Sequence, residues 1–357
     1  MKIQASILSI ALVPCLAIAQ PVFLGTNADG IYLAEFDPEE GTLSKPELAA
    51  EITAPGFLAI HPEKPILYAV SRGNTLTAFS IGDKNSLTAL GEVNTGGKNP
   101  THLSIDATGG TAGIANYSNG SITTISLDAD GKPKEVISYL EIKGSGPHPK
   151  RQNEPHAHGA YFDSNNQFMF VPDLGIDKTL IYRFDASTSE IKDHGFIASA
   201  PGAGPRHMTF SPDGKHAYIN NELDNTLLAA VYDPEKGALT AIGTYPTLPA
   251  DYKGESTTAE VEVHPNGRFV YVSNRGHDSI AVFSRDTISG ELTPLQHAPC
   301  GTNIPRHFKI DPSGKWLLCG GQNSNNIAIL PLDPETGLLG EPKSIVETVA
   351  PICILFP

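Results

Sequence analysis

The sequence predicts an all-β protein: one seven-bladed β-propeller with four-stranded blades, its ring closed by N- and C-terminal strands that share a blade. Three observations carry that prediction. A unit recurs at Pro55, Pro100, Pro155, Pro205, Thr258 and Pro305, a spacing of about 45–55 residues that matches one four-stranded blade. Within each unit, short apolar runs are separated by Gly-, Pro-, Asn- and Asp-bearing turns, with period-2 alternation and almost no helical periodicity. The two chain ends are complementary fragments of one more unit.

From the N-terminus, residues 1–19 hold one charge, Lys2, an apolar stretch from Ile3 to Leu16, and the small-x-small triplet Ala17-Ile18-Ala19. They read as a cleaved export signal with Gln20 as the mature N-terminus, so the product is expected in the periplasm or outside the cell. The apolar run is too short, and too interrupted by Gln4, Ser6, Ser9 and Pro14, to span a membrane. Pro14 stands where a lipoprotein signal needs a small residue, so Cys15 is not read as a lipid anchor.

Residues 22–37, VFLGTNADGIYLAEFD, look like the second and third strands of a unit that lacks its first. The copy PGFLAIHPEKPILYAVSRGNTLTAFS sets the order: Pro, a strand, a His-Pro turn, a second strand, an Asn-bearing turn and a third strand. PTHLSIDATGGTAGIANYSNGSITTISLD, PHAHGAYFDSNNQFMFVPDLGIDKTLIYRFD, PRHMTFSPDGKHAYINNELDNTLLAAVYD, TAEVEVHPNGRFVYVSNRGHDSIAVFSRD and PRHFKIDPSGKWLLCGGQNSNNIAILPLD repeat it. Connecting stretches such as EVISYLEI at 135–142 supply the fourth strand. PICILF at 351–356 is a first strand with nothing behind it. Pairing it with 22–37 completes a seventh blade and removes open sheet edges. Residues 20–357 are therefore expected to form one domain.

A chain of 357 residues with 40% hydrophobic and 18% charged positions can bury a large core. Its formal charge of −14 becomes −15 once Lys2 is removed, which disfavours nucleic acid and anionic membranes as partners. Cys300, Cys319 and Cys353 remain, an odd number that implies no disulfide framework. Cys319 and Cys353 read as small core residues and Cys300 as a structural loop residue. The pattern makes no demand for a partner subunit, and a monomer is expected.

With strands lettered A to D outward from the axis, the Pro end of each A strand and each B–C turn share one face, here the top. His61 and His264, in His-Pro turns, fall at the bottom as turn residues. His102, His156, His158, His207, His277 and His307 fall at the top. Aligned on Ile60, Ile105, Phe162, Phe210, Val263, Ile310 and Phe356, the A strands carry an apolar parity that packs between blades. The opposite parity holds Phe57, His102, Gly159, His207, Glu260, His307 and Cys353, and predicts a polar ring around a central channel. Any polar residue would satisfy a water-filled channel. The convergence above the ring is harder to assign to structure alone: Thr101, His158, Arg206 and Arg306 lie beside B–C turns bearing Asn116, Asp173, Glu222, Asn274, Arg275, His277 and Gln322.

VPDLGIDK after PHAH, GAGPRHMTFSPDGK followed by NNEL, and HPNGRFVYVSNRGHDSIAVF resemble the seven-bladed propeller lactonases, the family of bacterial propeller-type 6-phosphogluconolactonase and fungal carboxy-cis,cis-muconate cyclase. The resemblance covers essentially the whole mature chain. It implies a site built on the histidine of PHAH, the arginine of PRH, the glutamate of NEL and the arginine of SNR: His158 with His156 as alternate, Arg206, Glu222 and Arg275. Gly159 departs from the family, where Ser or another small residue is common. The export signal also departs, because a phosphorylated sugar lactone is a cytoplasmic metabolite.

Opening a lactone needs an activated water, donors for the oxyanion and a proton for the leaving alkoxide. His158 is assigned as general base, Arg206 as oxyanion donor, Glu222 as orienter or proton donor and Arg275 as substrate clamp. His156, His207, Glu260, Asn274, Arg306 and His307 are expected to contact substrate, a small lactone or carboxylate. No cofactor or metal is assigned: HxH at 156–158 is weak as a ligand pair, since Pro155 places His156 ahead of the strand, and Asp128-Ala129-Asp130-Gly131 runs into Lys132-Pro133-Lys134, which breaks a calcium-loop pattern. No G-x-S-x-G elbow is present. Two other readings stay open, a cycloisomerase closing an unsaturated diacid and a non-catalytic binding platform. A platform would more naturally expose aromatics, and Trp316, in a B strand, reads as blade packing.

Overall fold

In the computed structural model the chain is described from residue 19 to 357, so the expected export segment lies, but for Ala19, outside the described residues. Seven separate antiparallel sheets are strung along it. Six have four strands in sequence order, the first running Pro55–Ile60, Ile66–Ser71, Thr75–Ile81 and Leu87–Asn94. The seventh is composite: Pro351–Leu355 pairs with Gln20–Thr26, register Leu24↔Ile354, and Gln20–Thr26 pairs with Ile31–Asp37. The outer strand of that blade is split into Thr42–Leu43 and Glu47–Ala50, both on Ile31–Asp37, where four intact strands were expected. Pro46 lies in the gap and has no N–H to give the ladder.

The B strands also differ from simple alternation. Ile66–Ser71, Thr111–Asn116, Phe168–Asp173, His216–Asn221 and Trp316–Gly321 are buried at every position. Each lies between two neighbouring blades, so both faces need apolar cover. Leu67 and Ala69 pack toward the composite blade with Phe23 and Cys353, whereas Tyr68 and Val70 pack toward the next blade with Leu103 and Ile114. Seven such clusters, one per blade junction, make up the core.

A polar latch recurs at three junctions. The hydroxyls of Tyr68, Tyr218 and Tyr271 donate to the carbonyls of Gly131 (2.7 Å), Gly290 (3.1 Å) and Gly337 (2.8 Å) in the C–D turn of the following blade. At the closing junction Trp316 Nε1 donates to Pro38 O at 2.8 Å, so its expected packing role holds. Each such bond is worth about 1 kcal/mol net. His61 and His264 cap their own bottom turns through Nδ1, as expected. Asp128 accepts from Asp130 N and Lys132 N, which makes that segment a hairpin turn. Cys300, Cys319 and Cys353 are buried free thiols.

Candidate active site

A defect repeated in the inner strands aims side chains at the top of the axis. In the first, second, fourth and sixth blades the residue after the opening Pro drops out of register: Pro55, Pro100, Pro205 and Pro305 pair with the B strand, and so do Phe57, His102, His207 and His307, while Gly56, Thr101, Arg206 and Arg306 do not. A bulge leaves its extra residue unpaired and re-aims it. The motif Pro-x-His thereby turns x out of the ladder, Thr101 and Arg306 into the mouth and Arg206 behind its lining, and leaves His in the channel.

The third blade reaches the same end differently. Its A strand is only Tyr161–Phe162, and the chain before it touches the B strand through the bridge Ala157↔Asp173. His158 N–H donates to Pro172 O at 2.9 Å, but Pro172 has no N–H to return, so the ladder lapses there. Asp173 Oδ1 accepts from His156 N (2.8 Å) and Gly175 N (2.9 Å), and a Cβ on Gly175 would stand 2.0 Å from Glu154 O. That leaves no room for a side chain at Gly175 beside the segment that leads to His158. Gly159 gives its place in the ring to Tyr161, whose ring would meet any Cβ there at 2.4 Å.

These elements enclose a pocket of about 230 Å³ lined by Asn99, Thr101, Tyr117, Arg151, His158, Glu222, Arg275 and Arg306. Glu222 is its hub. Its N–H donates to Gly204 O at 2.7 Å, and its carboxylate meets Arg151 Nη2 (2.7 Å), Arg275 Nη2 (3.0 Å) and Arg206 Nε (3.2 Å, off the hydrogen-bond direction). Burial works to raise the Glu222 pKa, and Arg275, Arg206 and Arg151 overcome it, holding the group at about 2. Glu222 is thus ionised, holds no proton to donate, and its carboxylate meets Arg151, Arg206 and Arg275 and not His158.

Arg206 is 2% exposed and sits behind the lining, its Nη1 bonded to Ala259 O. Arg306 faces the pocket and among the described residues has no hydrogen-bond or ion-pair partner. Burial, then Arg206 and Arg275, push its pKa down to about 9. His158 is 4% exposed. Its Nδ1 is enclosed without a partner, so Nε2 is the ring nitrogen the pocket can reach. Burial, then Arg206, His207 and Arg306, hold its pKa well below the ordinary histidine value, which leaves a neutral imidazole at physiological pH.

The remaining expected residues separate by depth. His207, Glu260 and His307 lie beneath the pocket, with Glu260 Oε2 3.0 Å from His207 Nδ1 and 3.4 Å from His307 Nε2. Lys309 and Glu262 pair one layer lower. His156 stacks on Tyr117 (centroids 4.4 Å, planes 11° apart) and its Nδ1 lies 3.0 Å from Tyr117 O, so it holds the pocket wall and shares no ligand face with His158. Asn274 is a correction: it is fully buried, its amide spent on Thr247 and Ser279, and it stiffens a blade without reaching substrate.

Arg151 and Tyr117 were not anticipated. Arg151 comes from the long connection between the second and third blades, where Gln152 is buried and bonded to Leu174 O (2.8 Å) and Asp177 (2.6 Å). Asp177 also takes Gly202 N and Gly204 N, tying that connection to the loop that carries Glu222's partner carbonyl. The signal available was length: Ile142 to Ala160 exceeds an ordinary blade connection, and long loops carry function.

The model of the lactonase, 7-bladed beta-propeller family matches residues 21–356. This chain belongs to that family. It is 37% identical over 336 residues to a 6-phosphogluconolactonase of Bacillus subtilis, covering 92% of this chain and 95% of that one. It is 33% identical over 346 residues to a 6-phosphogluconolactonase of Formosa agariphila, covering 91% and 96%. The solved structure of a periplasmic gluconolactonase from Pseudomonas aeruginosa superposes with a TM-score of 0.89 at 28% identity, covering 95% of this lactonase-family chain and 99% of that one.

Proposed function

We propose that the protein is an exported lactonase that hydrolyses a sugar-type lactone, of the 6-phosphogluconolactone kind, by metal-independent general-base catalysis at the top of the propeller axis. The observation that carries this is one neutral imidazole, His158, presenting a single nitrogen to a pocket walled by guanidinium groups. His158 Nε2 takes a proton from water and the hydroxide oxygen attacks the lactone carbonyl carbon. Arg275 and Arg306 receive the developing oxyanion or grip a substrate anion, while Arg206 adds field from behind. The acyl C–O bond then breaks and the leaving alkoxide recovers the proton from His158. Likeness to a periplasmic gluconolactonase supports the export reading and a sugar lactone outside the cytoplasm.

The excess of guanidinium groups over carboxylate at the mouth favours a second reading, a cycloisomerase acting on a dicarboxylate. A pH-stat assay of the mature protein against glucono-1,5-lactone, its 6-phosphate and a muconolactone, with and without chelator, separates the two. Proton release that survives chelation and falls at least about 10³-fold in His158→Ala is the expected result. Full activity in His158→Ala removes the general base, and turnover of the muconolactone alone moves the assignment to the cycloisomerase. No turnover of any member favours a binding platform.

A further inference from the structure

Glu260, His207 and His307 lie below the pocket lining, and His207 breaks a pattern that His102 and His307 keep. Three inner strands carry histidine at the same ring position: His102, His207 and His307. In two cases the next inner strand around the ring donates a backbone N–H to the imidazole: Ala160 N to His102 Nδ1 and Ile354 N to His307 Nδ1, both at 3.3 Å. An Nδ1 that accepts a backbone proton fixes the Nε2–H tautomer. At the third junction the equivalent amide is that of Val261, and it donates to Glu260 Oε1 at 3.1 Å. Glu260 Oε2 occupies the place left open, 3.0 Å from His207 Nδ1. A carboxylate there accepts a proton, so His207 carries hydrogen on Nδ1 and a lone pair on Nε2.

The consequence lies one ring higher. His207 Nε2 and His158 Nδ1 are both enclosed without a hydrogen-bond partner, and the two rings meet edge to face with centroids 5.1 Å apart. One is an acceptor in need of a donor. The other belongs to a base whose Nε2 is useful only if its own Nδ1 holds the hydrogen. We propose that Glu260, through His207, is a positioning relay for His158: Glu260 turns His207 into an acceptor, and His207 selects the Nδ1–H tautomer of His158 that leaves Nε2 unprotonated toward the pocket. A slight ring rotation or one buried water closes the remaining gap between the two nitrogens. No net proton leaves the triad, because the proton that His158 Nε2 gains from water returns to the alkoxide. The catalytic part rests on the lactonase reading; the tautomers do not.

The test uses the mature full-length protein labelled with 15N-histidine. Long-range 1H–15N correlation reads each tautomer, with signals assigned by single histidine variants. The expected result is Nδ1–H for His207 and His158 and Nε2–H for His102 and His307. An Nε2–H His207 or His158 in the wild-type protein overturns the relay without any variant. In Glu260→Gln, His207 is expected to lose its fixed tautomer and kcat to fall about 10²-fold with KM within about 3-fold. The acid limb of the kcat/KM profile should move to lower pH, because the imidazolium of His158 loses its distant carboxylate. Of the other groups facing these residues, His307, whose Nε2 lies 3.4 Å from Glu260 Oε2, loses that neighbour in the variant, while Arg206, Arg275, Arg306, Glu222, Tyr117, His102, Tyr161 and Lys309 are unchanged. A kcat within about 2-fold of wild type with an unmoved limb overturns the relay. If the wild-type protein opens no lactone, the lactonase reading fails and the tautomer spectrum still decides whether Glu260 governs His207.

Discussion

Glu222 is a single carboxylate set among four guanidinium groups, and its neighbours' shifts run in opposite senses. Glu222 is held down at about 2, which favours its charged form, while Arg206 and Arg306 are pushed to about 10 and 9, which disfavours theirs. For Arg206 burial leads and Arg275 follows, with Glu222 opposing. Four cations face one anion, so the cluster carries an excess of positive charge that an anionic ligand would offset. Inorganic phosphate should therefore raise the thermal midpoint of the wild-type protein, and Arg306→Gln should lose most of that rise; equal shifts in both would remove Arg306 as the grip. Glu222 has a depressed pKa, so its contribution to stability is full above its ordinary value of 4.5 and fades as pH falls toward 2. Denaturant titrations through that window should show wild type losing stability more steeply than Glu222→Gln. At neutral pH the variant is expected to be less stable by about 3 kcal/mol, because it leaves buried guanidinium groups unmatched.

At the scale of one element, the site depends on where β ladders fail. The Pro-x-His bulges and the lapse at Pro172 each release a side chain that a regular strand would have held in plane. The segment leading to His158 runs close against the turn at Gly175, where an added Cβ would stand 2.0 Å from Glu154 O. Gly175→Ala is expected to lift that segment, lowering kcat/KM by at least about 10-fold through kcat while the far-ultraviolet spectrum stays that of the wild type. Unchanged kinetics would show that the height of His158 is set elsewhere. Gln152 is the matching anchor for Arg151, whose reach to Glu222 and Tyr117 needs a pinned loop.

Over the whole molecule, cooperativity comes from ring closure. Pro351–Leu355 is the innermost strand of the composite blade and buries Cys353 against one neighbouring blade and Ile354 against the other. Deleting residues 351–357 exposes the edge of Gln20–Thr26 and opens two blade junctions at once. Calorimetry should show the single transition lost or its midpoint lowered by more than about 10 °C, well beyond the few degrees that about 1 kcal/mol shifts a chain of this size. A truncated protein melting like wild type would mean that the other junctions hold the ring without it. The net negative charge of the chain surrounds a mouth of opposite sign, so attraction of an anion is confined to the axis and should weaken with added salt.

The repeat alone determined the propeller, the number of blades and the shared closing blade, because each unit writes its turns in Pro, Gly and Asn and its strands in apolar runs. It also ordered the channel ring, since alternation along a strand converts parity into inward or outward direction. Arg206, Glu222, Arg275 and His158 could be brought to one face by that argument, because Pro ends and B–C turns share the top. Depth and partnership could not be read. Arg206 lies behind the pocket and Arg306 within it, although both fill the same motif, and Asn274 is spent on Thr247 and Ser279; such differences depend on which neighbours brought close by the fold claim each donor. Arg151 enters the site from a loop with no periodicity to place it, and Tyr117 from the B–C turn beside Asn116. The reversal of His207 by Glu260 arises only where two blades meet, because a tautomer is chosen by the atoms opposite a ring and not by its position in a repeat.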